Sequence, residues 1–574
     1  MSYLDGFLNS AWLASCIPDA LHFYISSKKP LKYVQERVLR SILSQNSATA
    51  IGREYQFSAI KNYDNFKNAF PVSNYDFFQP YINRIAKGDK DILTSDEITS
   101  FEPTSGSSAS TKLIPLCRSL KESFNSMLHP WVLNLYLHFP QLLTGKSYWV
   151  VTPKIEKQHN SESAIPTGFD SDSSYFGNIA GYFIEKLMAV PDSVASAATV
   201  DKWRYLTLLH LLKCTDLRLI SLWNPAFLPV NLRWMIKWKS ELIEDISKDA
   251  FLISNKRHFA VKSAIEKFEN GNVSECMKLL WPSLKIISCW TEGEAADCLF
   301  ELKAWFPHVT IQSKGLLATE CPITFPLVGK KAPVLAANSA FFEFESGSEG
   351  EGEIVPAWKI ETGKYYRVIV TTFGGLYRYC MNDIVKVEGF WKNLPMLSFI
   401  GKESFVADLR GEKINSNHVG KLIKNISGNN RFAFLAPQTD REPPYYCLFL
   451  SGFSSSFGVG TSYNSSADIN GNKNSYEIKN NSFSLSSGLL QNSQKFLETG
   501  LRENFHYNWC RELGQLAPAE VFPVELSEEN MLELFFERYR FEGGCSSTVK
   551  KVSLSRLKNW KQYWCQKVQV ASNG

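Results

Sequence analysis

Thr104-Ser105-Gly106-Ser107-Ser108-Ala109-Ser110-Thr111-Lys112 is a run of hydroxyl side chains around a single glycine, closed by a lysine. Such a run suits phosphate. Small residues let backbone N–H groups approach oxyanions, hydroxyls donate further hydrogen bonds, and the lysine adds positive charge. Hydrogen bonds to charged groups contribute about 1.5–3 kcal/mol each, so several together would hold a triphosphate. The run is not the P-loop of nucleoside triphosphatases, which ends Gly-Lys-Ser/Thr and opens into a helix. Here Thr111-Lys112 leads into residues 113–117, which read as a strand. A helix is expected from Ser119, with Ser119 and Glu122 as its capping box. Taken alone, the run is equally a serine-rich surface turn.

Three downstream segments bear on that choice. Gly315-Leu316-Leu317-Ala318-Thr319-Glu320 follows a strand-like run, where a hydroxyl suits a phosphate and a carboxylate suits Mg²⁺. Tyr377-Arg378-Tyr379-Cys380-Met381-Asn382-Asp383 sets an aspartate just past a strand, in a position to accept ribose hydroxyls. Gly411-Glu412-Lys413 reads as a hinge. Each segment alone is also a turn or a solvated loop.

The surrounding text is that of a mixed α/β protein. Residues 1–100 are mostly helical, with apolar positions at helical spacing through 31–43. Strand-like runs at 148–152, 219–223, 284–290 and 309–312 are separated by helical stretches such as 203–212 and 258–268, which implies crossover connections. From 340 to 402 the texture becomes β-rich, with strands expected at 341–345, 365–372, 376–380 and 384–387 around the Gly374-Gly375 turn. This predicts an antiparallel section beside the main core, with the acidic run 345–353 as a solvated loop. The expected division is a large domain, 1–412, and a small α+β domain, 413–574. Within the latter, 451–487 is so rich in Ser, Asn and Gly that a flexible insertion is expected.

Bulk properties narrow the class. The chain has 574 residues, 44% hydrophobic and 21% charged, and a net charge of only +5. It needs more than one core, and gives no electrostatic case for a nucleic-acid partner. No apolar stretch approaches the length of a membrane span, and no membrane partner is expected. Leu13-Ala14-Ser15-Cys16 resembles a lipoprotein cleavage box. It lacks a basic leader, however, and Asp5 and Asn9 interrupt the apolar run, so an amphipathic first helix is expected instead. The twelve cysteines are spread singly, with no metal-ligand spacing. Reduced thiols in the cytoplasm are the simplest account.

Together and in this order, these segments resemble the acyl-adenylate-forming superfamily that includes firefly luciferase and the acyl-CoA synthetases. The nearer resemblance is to the auxin-responsive, Gretchen Hagen-type acyl acid amido synthetases, particularly their bacterial relatives. It runs through Phe101-Glu102-Pro103-Thr104-Ser105-Gly106-Ser107-Ser108, Tyr148-Trp149, Leu222-Trp223-Asn224-Pro225, Trp281-Pro282, Lys314 to Glu320, Gly374 to Tyr379, Gly411-Glu412-Lys413 and Gly514-Gln515-Leu516. The resemblance implies a large adenylate-forming domain, a small mobile C-terminal domain, and ATP with Mg²⁺ as cofactors. It implies that Ser105, Gly106, Ser107, Ser108 and Lys112 line the phosphate loop. It places Thr319 and Glu320 at the nucleotide, with Glu320 near the metal, Asp383 at the ribose and Lys413 in the hinge-side motif. Lys550 takes the position of a lysine that reaches the adenylate, with Lys551 as its alternative.

The implied reaction adenylates a small carboxylic acid and then passes the acyl group to an amine or amino acid. Glu320 and Lys550 are the expected catalytic residues, and His418 is a candidate base. Five departures stand against the family pattern: Ser110, Cys321 and Asn382 where Gly is usual, Lys402 where Arg is common, and Lys551 where Pro is usual. They keep open a degenerate member that binds a nucleotide or metabolite without turnover; an acyl-CoA ligase, which would share the first half-reaction, is the other alternative.

Overall fold

The computed structural model describes residues 3–104, 112–150, 164–167, 185–248, 255–292, 295–296, 299–346, 352–402, 406–407, 409–410, 412, 414–427, 431–451, 487–524, 526–541, 552–555 and 557–564. Described residues up to Lys402 form one compact unit and those from Val406 onward another. The expected insertion at 451–487 lies outside the described residues except for its ends.

The first unit opens with two helices, α1 (Tyr3–Ser26) and α2 (Leu31–Gln45). In α2, Leu31, Val34, Val38, Leu39 and Ile42 recur at helical spacing and are buried, as the sequence predicts. Strands β1 (Ile98–Thr104) and β2 (Lys112–Cys117) pair antiparallel, with Thr104 opposite Lys112. The glycine-and-hydroxyl run therefore joins two paired strands.

The helix Arg118–His138 follows β2, and here the predicted capping box fails. Its N-cap is Cys117, not Ser119, and makes no side-chain capping bond. Instead Asp96 accepts the Ser119 N–H at 2.7 Å, and Glu122 turns outward to pair with Arg118 at 2.9 Å. A distant carboxylate satisfies the orphan donor that a local side chain was expected to cap.

Strands β3 (Lys146–Trp149), β4 (Leu217–Ser221), β5 (Ile286–Cys289) and β6 (Thr310–Ser313) form a parallel sheet in that order. Leu219 and Ile286 face one core while Tyr148, Ile220 and Ile287 face another. Both faces are covered, which is why these strands read as apolar runs rather than as alternation.

The expected antiparallel section is a seven-stranded sheet of order β10-β9-β11-β12-β13-β8-β7. Its strands are β7 (Thr324–Phe325), β8 (Val334–Leu335), β9 (Ala340–Ser346), β10 (Ile354–Pro356), β11 (Tyr365–Thr372), β12 (Tyr379–Trp391) and β13 (Leu394–Lys402). Three local expectations are corrected here. Residues 376–378 belong to the β11–β12 connection, where Gly375 has φ +94° and an added Cβ would lie 2.7 Å from Leu93. Asp383 lies within β12, not after a strand. Glu345 is no loop residue: it is buried in β9 and paired with Arg367 at 2.7 Å. An acidic run does not reveal which of its members a partner arginine will draw inward.

The second unit is α+β. Strands β14 (Val406–Ala407) and β15 (Ile414–Asn415) pair with each other. Strands β16 (Ala433–Gln438) and β17 (Tyr445–Leu450) run antiparallel, and β18 (Glu520–Pro523) joins β17 in parallel. Leu435, Leu448 and Leu450 pack with Leu497 and Leu501. Phe434 contacts Phe449, Phe535 and Trp560 with ring centroids 4.8–5.3 Å apart.

Candidate active site

The first unit brings Lys112, Glu320 and Asp383 to one place, around Tyr379. Lys112 opens β2, and its Nζ donates to the Tyr379 hydroxyl at 3.3 Å. The ammonium also lies 5.5 Å from the Tyr75 ring and 5.9 Å from the Tyr379 ring. Tyr75 in turn grips the β2 backbone: its hydroxyl accepts the Leu113 N–H at 2.7 Å and donates to the Leu113 carbonyl at 3.2 Å. The lysine at the end of the phosphate-type run is thus held between two aromatic rings.

Glu320 comes from a short turn. Leu317 and Pro322 form an antiparallel bridge, and the Ala318 N–H reaches the Cys321 carbonyl at 3.3 Å. This sets Thr319 and Glu320, both half-buried, at the tip. Gly315 makes the approach possible, with φ +77° and room for no Cβ: an added one would lie 2.6 Å from the Thr324 carbonyl oxygen. Asp383 is buried in β12, four residues past Tyr379, with Lys402 opposite it in β13.

Electrostatics ties the three together. Burial raises the Tyr379 hydroxyl above its ordinary value, and the negative charges of Glu320 and Asp383 push it further the same way. The Cys321 thiol is also raised well above its ordinary value, first by burial, then by Glu320 and Asp383. Carboxylates that both act on one phenol and one thiol share a neighbourhood, and Lys112 is the cation placed within it.

Arg378 anchors the strand that carries Tyr379 and Asp383. Its Nε and Nη2 donate to the two Glu343 oxygens at 2.9 Å each, and its Nη1 donates to the carbonyls of Lys67 and Phe70 at 3.0 and 2.7 Å. The Tyr63 hydroxyl donates to the same Glu343 at 2.9 Å. Arg378 holds φ +45°, a left-handed backbone rare outside glycine.

At the carboxyl ends of the parallel sheet, Lys314 follows β6 and is buried. Its Nζ donates to Ser221 Oγ at 2.7 Å and lies 4.3 Å from the Trp223 ring, 5.7 Å from Trp149 and 5.8 Å from Trp131. Ligands of open α/β sheets bind outside the carboxyl ends of the strands, and this edge carries aromatic walls and a cation.

Residues 20–311 match the GH3 family N-terminal domain, and residues 333–402 match the GH3 family central domain. This chain belongs to the GH3 family. Among its relatives, the indole-3-acetic acid-amido synthetase GH3.3 of Arabidopsis thaliana is 26% identical over 449 residues, covering 71% of this chain and 73% of that one. The indole-3-acetic acid-amido synthetase GH3.17 of the same plant is 27% identical over 446 residues, covering 69% and 73%. The solved structure of the GH3.15 acyl acid amido synthetase superposes with a TM-score of 0.72 at 19% identity, covering 95% of this chain and 96% of that one. The fold is that of the GH3.15 acyl acid amido synthetase.

Of the site residues expected from sequence, Lys112, Thr319, Glu320 and Asp383 are described, and this GH3 chain assembles them as above. Ser105, Gly106, Ser107, Ser108, Lys413 and Lys550, with Ser110 and Lys551, lie outside the described residues. His418 lies in the second unit, where its Nε2 meets the Gly500 carbonyl at 2.7 Å, which gives the ring a structural anchor.

Two departures from the family pattern have local explanations. Asn382 holds φ +59°, where glycine is the usual choice and asparagine the best substitute. Cys321 is fully buried in the main core, where a thiol packs as a small apolar group. Sequence reasoning missed Tyr75, Tyr63 and the tryptophans around Lys314, because aromatic residues read first as core, and Glu343, because its partner Arg378 is 35 residues away. One signal was available: three of the four strand-like runs contain a tryptophan, at Trp149, Trp223 and Trp290.

Proposed function

We propose that this GH3 chain adenylates a small carboxylic acid with ATP and transfers the acyl group to an amine, with an amino acid as acceptor, releasing AMP and pyrophosphate. The observation that carries this reading is the convergence of Lys112, Glu320 and Asp383 around Tyr379, in a chain of the GH3 family and on its fold. The 2,4-DB complex of the GH3.15 acyl acid amido synthetase supports an organic acid as the first substrate.

The acid's carboxylate displaces pyrophosphate from the α-phosphorus. Lys112 offsets charge on the phosphate oxygens, held in place by Tyr75 and Tyr379 rather than by a reorganising solvent. Asp383 accepts the ribose hydroxyls, and Thr319 hydrogen-bonds a phosphate. A carboxylate beside phosphates suits Mg²⁺, which is usually bound through one or two carboxylates, substrate oxygens and water. Glu320 would hold it, and the ion would supply charge neutralisation to the leaving group. The phosphate run Ser105, Gly106, Ser107 and Ser108, together with Lys413 and Lys550, completes the proposed nucleotide site. The C-terminal domain, 413–574, then moves to admit the amine.

Trp149 and Trp223 form the wall against which the acid's apolar body lies. Among the described residues no helix is long and apolar enough to cross a membrane. Nine of the twelve cysteines are described, eight of them buried, and reduced thiols in the cytoplasm remain the simplest account.

The test is acid-dependent ATP–pyrophosphate exchange over a panel of aromatic, fatty and keto acids, followed by mass spectrometry of the conjugate. Exchange lost in Glu320→Ala and Lys112→Met supports the reading. Nucleotide binding without exchange for any acid would refute it, and strict dependence on coenzyme A would replace it with a thioester ligase.

A further inference from the structure

The first helix is apolar on two sides. Leu8, Trp12, Cys16 and Phe23 bury its inner face in the main core. At 100° per residue, Phe7, Ile17, Leu21 and Ile25 share the opposite face, and they are 67, 42, 55 and 54% exposed. The exposed Ala14 and Pro18 lie between them. Only two of the helix's 24 residues are acidic and none is Lys or Arg. Asp5 is buried, and Asp19 pairs with His129 at 2.6 Å. Ser10 is the one polar side chain on that outer stripe, and its hydroxyl donates to the Gly6 carbonyl at 2.8 Å. A bare apolar stripe of this length marks a contact surface.

Lysines gather at the C-terminal end of that stripe. Lys392 Nζ donates to Ser27 Oγ at 3.2 Å and lies 5.3 Å from the Tyr24 ring. The Asn393 side chain donates to the carbonyls of Lys28 and Lys29 at 3.0 and 3.1 Å, fixing this corner to the end of the helix. Burial, then the charges of Lys28 and Lys330, hold the Lys392 ammonium below its ordinary range, which places both cations near it. All three are exposed. The nearby Lys331 is already answered by Glu388 at 3.0 Å.

We propose that the outer face of α1 and the Lys28–Lys330–Lys392 cluster form a docking surface for an anionic lipid bilayer, with α1 lying in the plane of the interface. The apolar stripe supplies the inserted face and the lysines supply the attraction, the two signals that hold a protein at a membrane without a spanning helix. Each lysine near an anionic surface strengthens binding about fivefold. The cytoplasmic leaflet carries that charge. A second copy of the chain fits less well. Two α1 helices in parallel would bring like clusters together, and an antiparallel pair would lay lysines against Leu4 and Phe7. The proposal revises the sequence-based expectation of no membrane partner.

The test is vesicle flotation of the full chain with phosphatidylcholine alone and with phosphatidylcholine mixed with phosphatidylserine. The expected result is flotation with the mixed vesicles only, weakened by added salt. The pairs L21Q/I25Q and K28E/K330E alter different halves of the surface, and each should lower partitioning at least tenfold with circular dichroism unchanged. Absence of flotation with the mixed vesicles would overturn the proposal, as would binding that neither pair reduces. A dimer in sedimentation that L21Q/I25Q dissociates, without vesicle binding, would assign the face to a second copy instead.

Discussion

Replacing Arg378 with lysine tests whether the buried clamp positions the strand that carries Tyr379 and Asp383. The guanidinium makes four hydrogen bonds, two to Glu343 and one each to the carbonyls of Lys67 and Phe70, and both charged partners are almost wholly enclosed. Lysine keeps the charge but not the fork, so it can satisfy at most part of that set. Losing two charge-assisted bonds at about 1.5–3 kcal/mol each gives a cost of roughly 3–6 kcal/mol. Partial re-pairing of the ammonium with Glu343 brings this to about 2–4 kcal/mol, below the 3–5 kcal/mol expected when one partner of a buried pair is removed outright. Calorimetry should show the transition of the first unit falling by several degrees in R378K. It should fall further in Arg378→Met, which leaves Glu343 with the Tyr63 hydroxyl alone of its described side-chain donors. Pyrophosphate exchange should fall in both variants below the unfolding temperature, because Tyr379 and Asp383 lose their fixed register. If R378K matches the wild type in both transition and exchange, the clamp neither stabilises the unit nor positions the site.

The backbone at Asn382 offers a second test. With φ +59°, Asn382→Gly should be neutral or slightly stabilising, whereas Asn382→Val should cost about 1–2 kcal/mol and reduce exchange; equal melting of the two would refute the left-handed requirement. Burial and the adjacent Glu320 and Asp383 charges keep the Cys321 thiol protonated, so iodoacetamide should spare it in the native protein and modify it after unfolding, with peptide mapping as the readout. In the second unit, burial raises the Glu498 carboxyl, but the Ala519 N–H with Arg511, Tyr507 and Arg502 outweigh it and hold the group below its ordinary 4.5. A depressed carboxyl contributes stability above the unfolded value and loses it as pH falls through the folded one. Hydrogen-exchange protection across Ser487–Leu501, corrected for the intrinsic exchange rate, should therefore fall on acidification below about pH 4.5, and Glu498→Gln should flatten that dependence.

The class of the molecule was legible in its sequence because the signals are local. Apolar spacing in α2, the apolar runs of the parallel sheet and the Gly374-Gly375 turn each encode a backbone preference over a few residues. The phosphate-type run, Thr319-Glu320 and Asp383 are short motifs, and they identified the family and the candidate site residues. Only the tertiary structure decided what those motifs touch. Tyr75 and Tyr379 reach Lys112 from 37 and 267 positions away, and Glu343 meets Arg378 from 35 away. Asp96 replaces Glu122 in serving the helix after β2, although only Glu122 stands at capping-box spacing. Glu345 goes inward for an arginine on the next strand while its sequence neighbours read as a solvated loop. Pairings of this kind depend on which elements the folded chain lays side by side, and the periodicity of a single strand or helix carries no record of its neighbour.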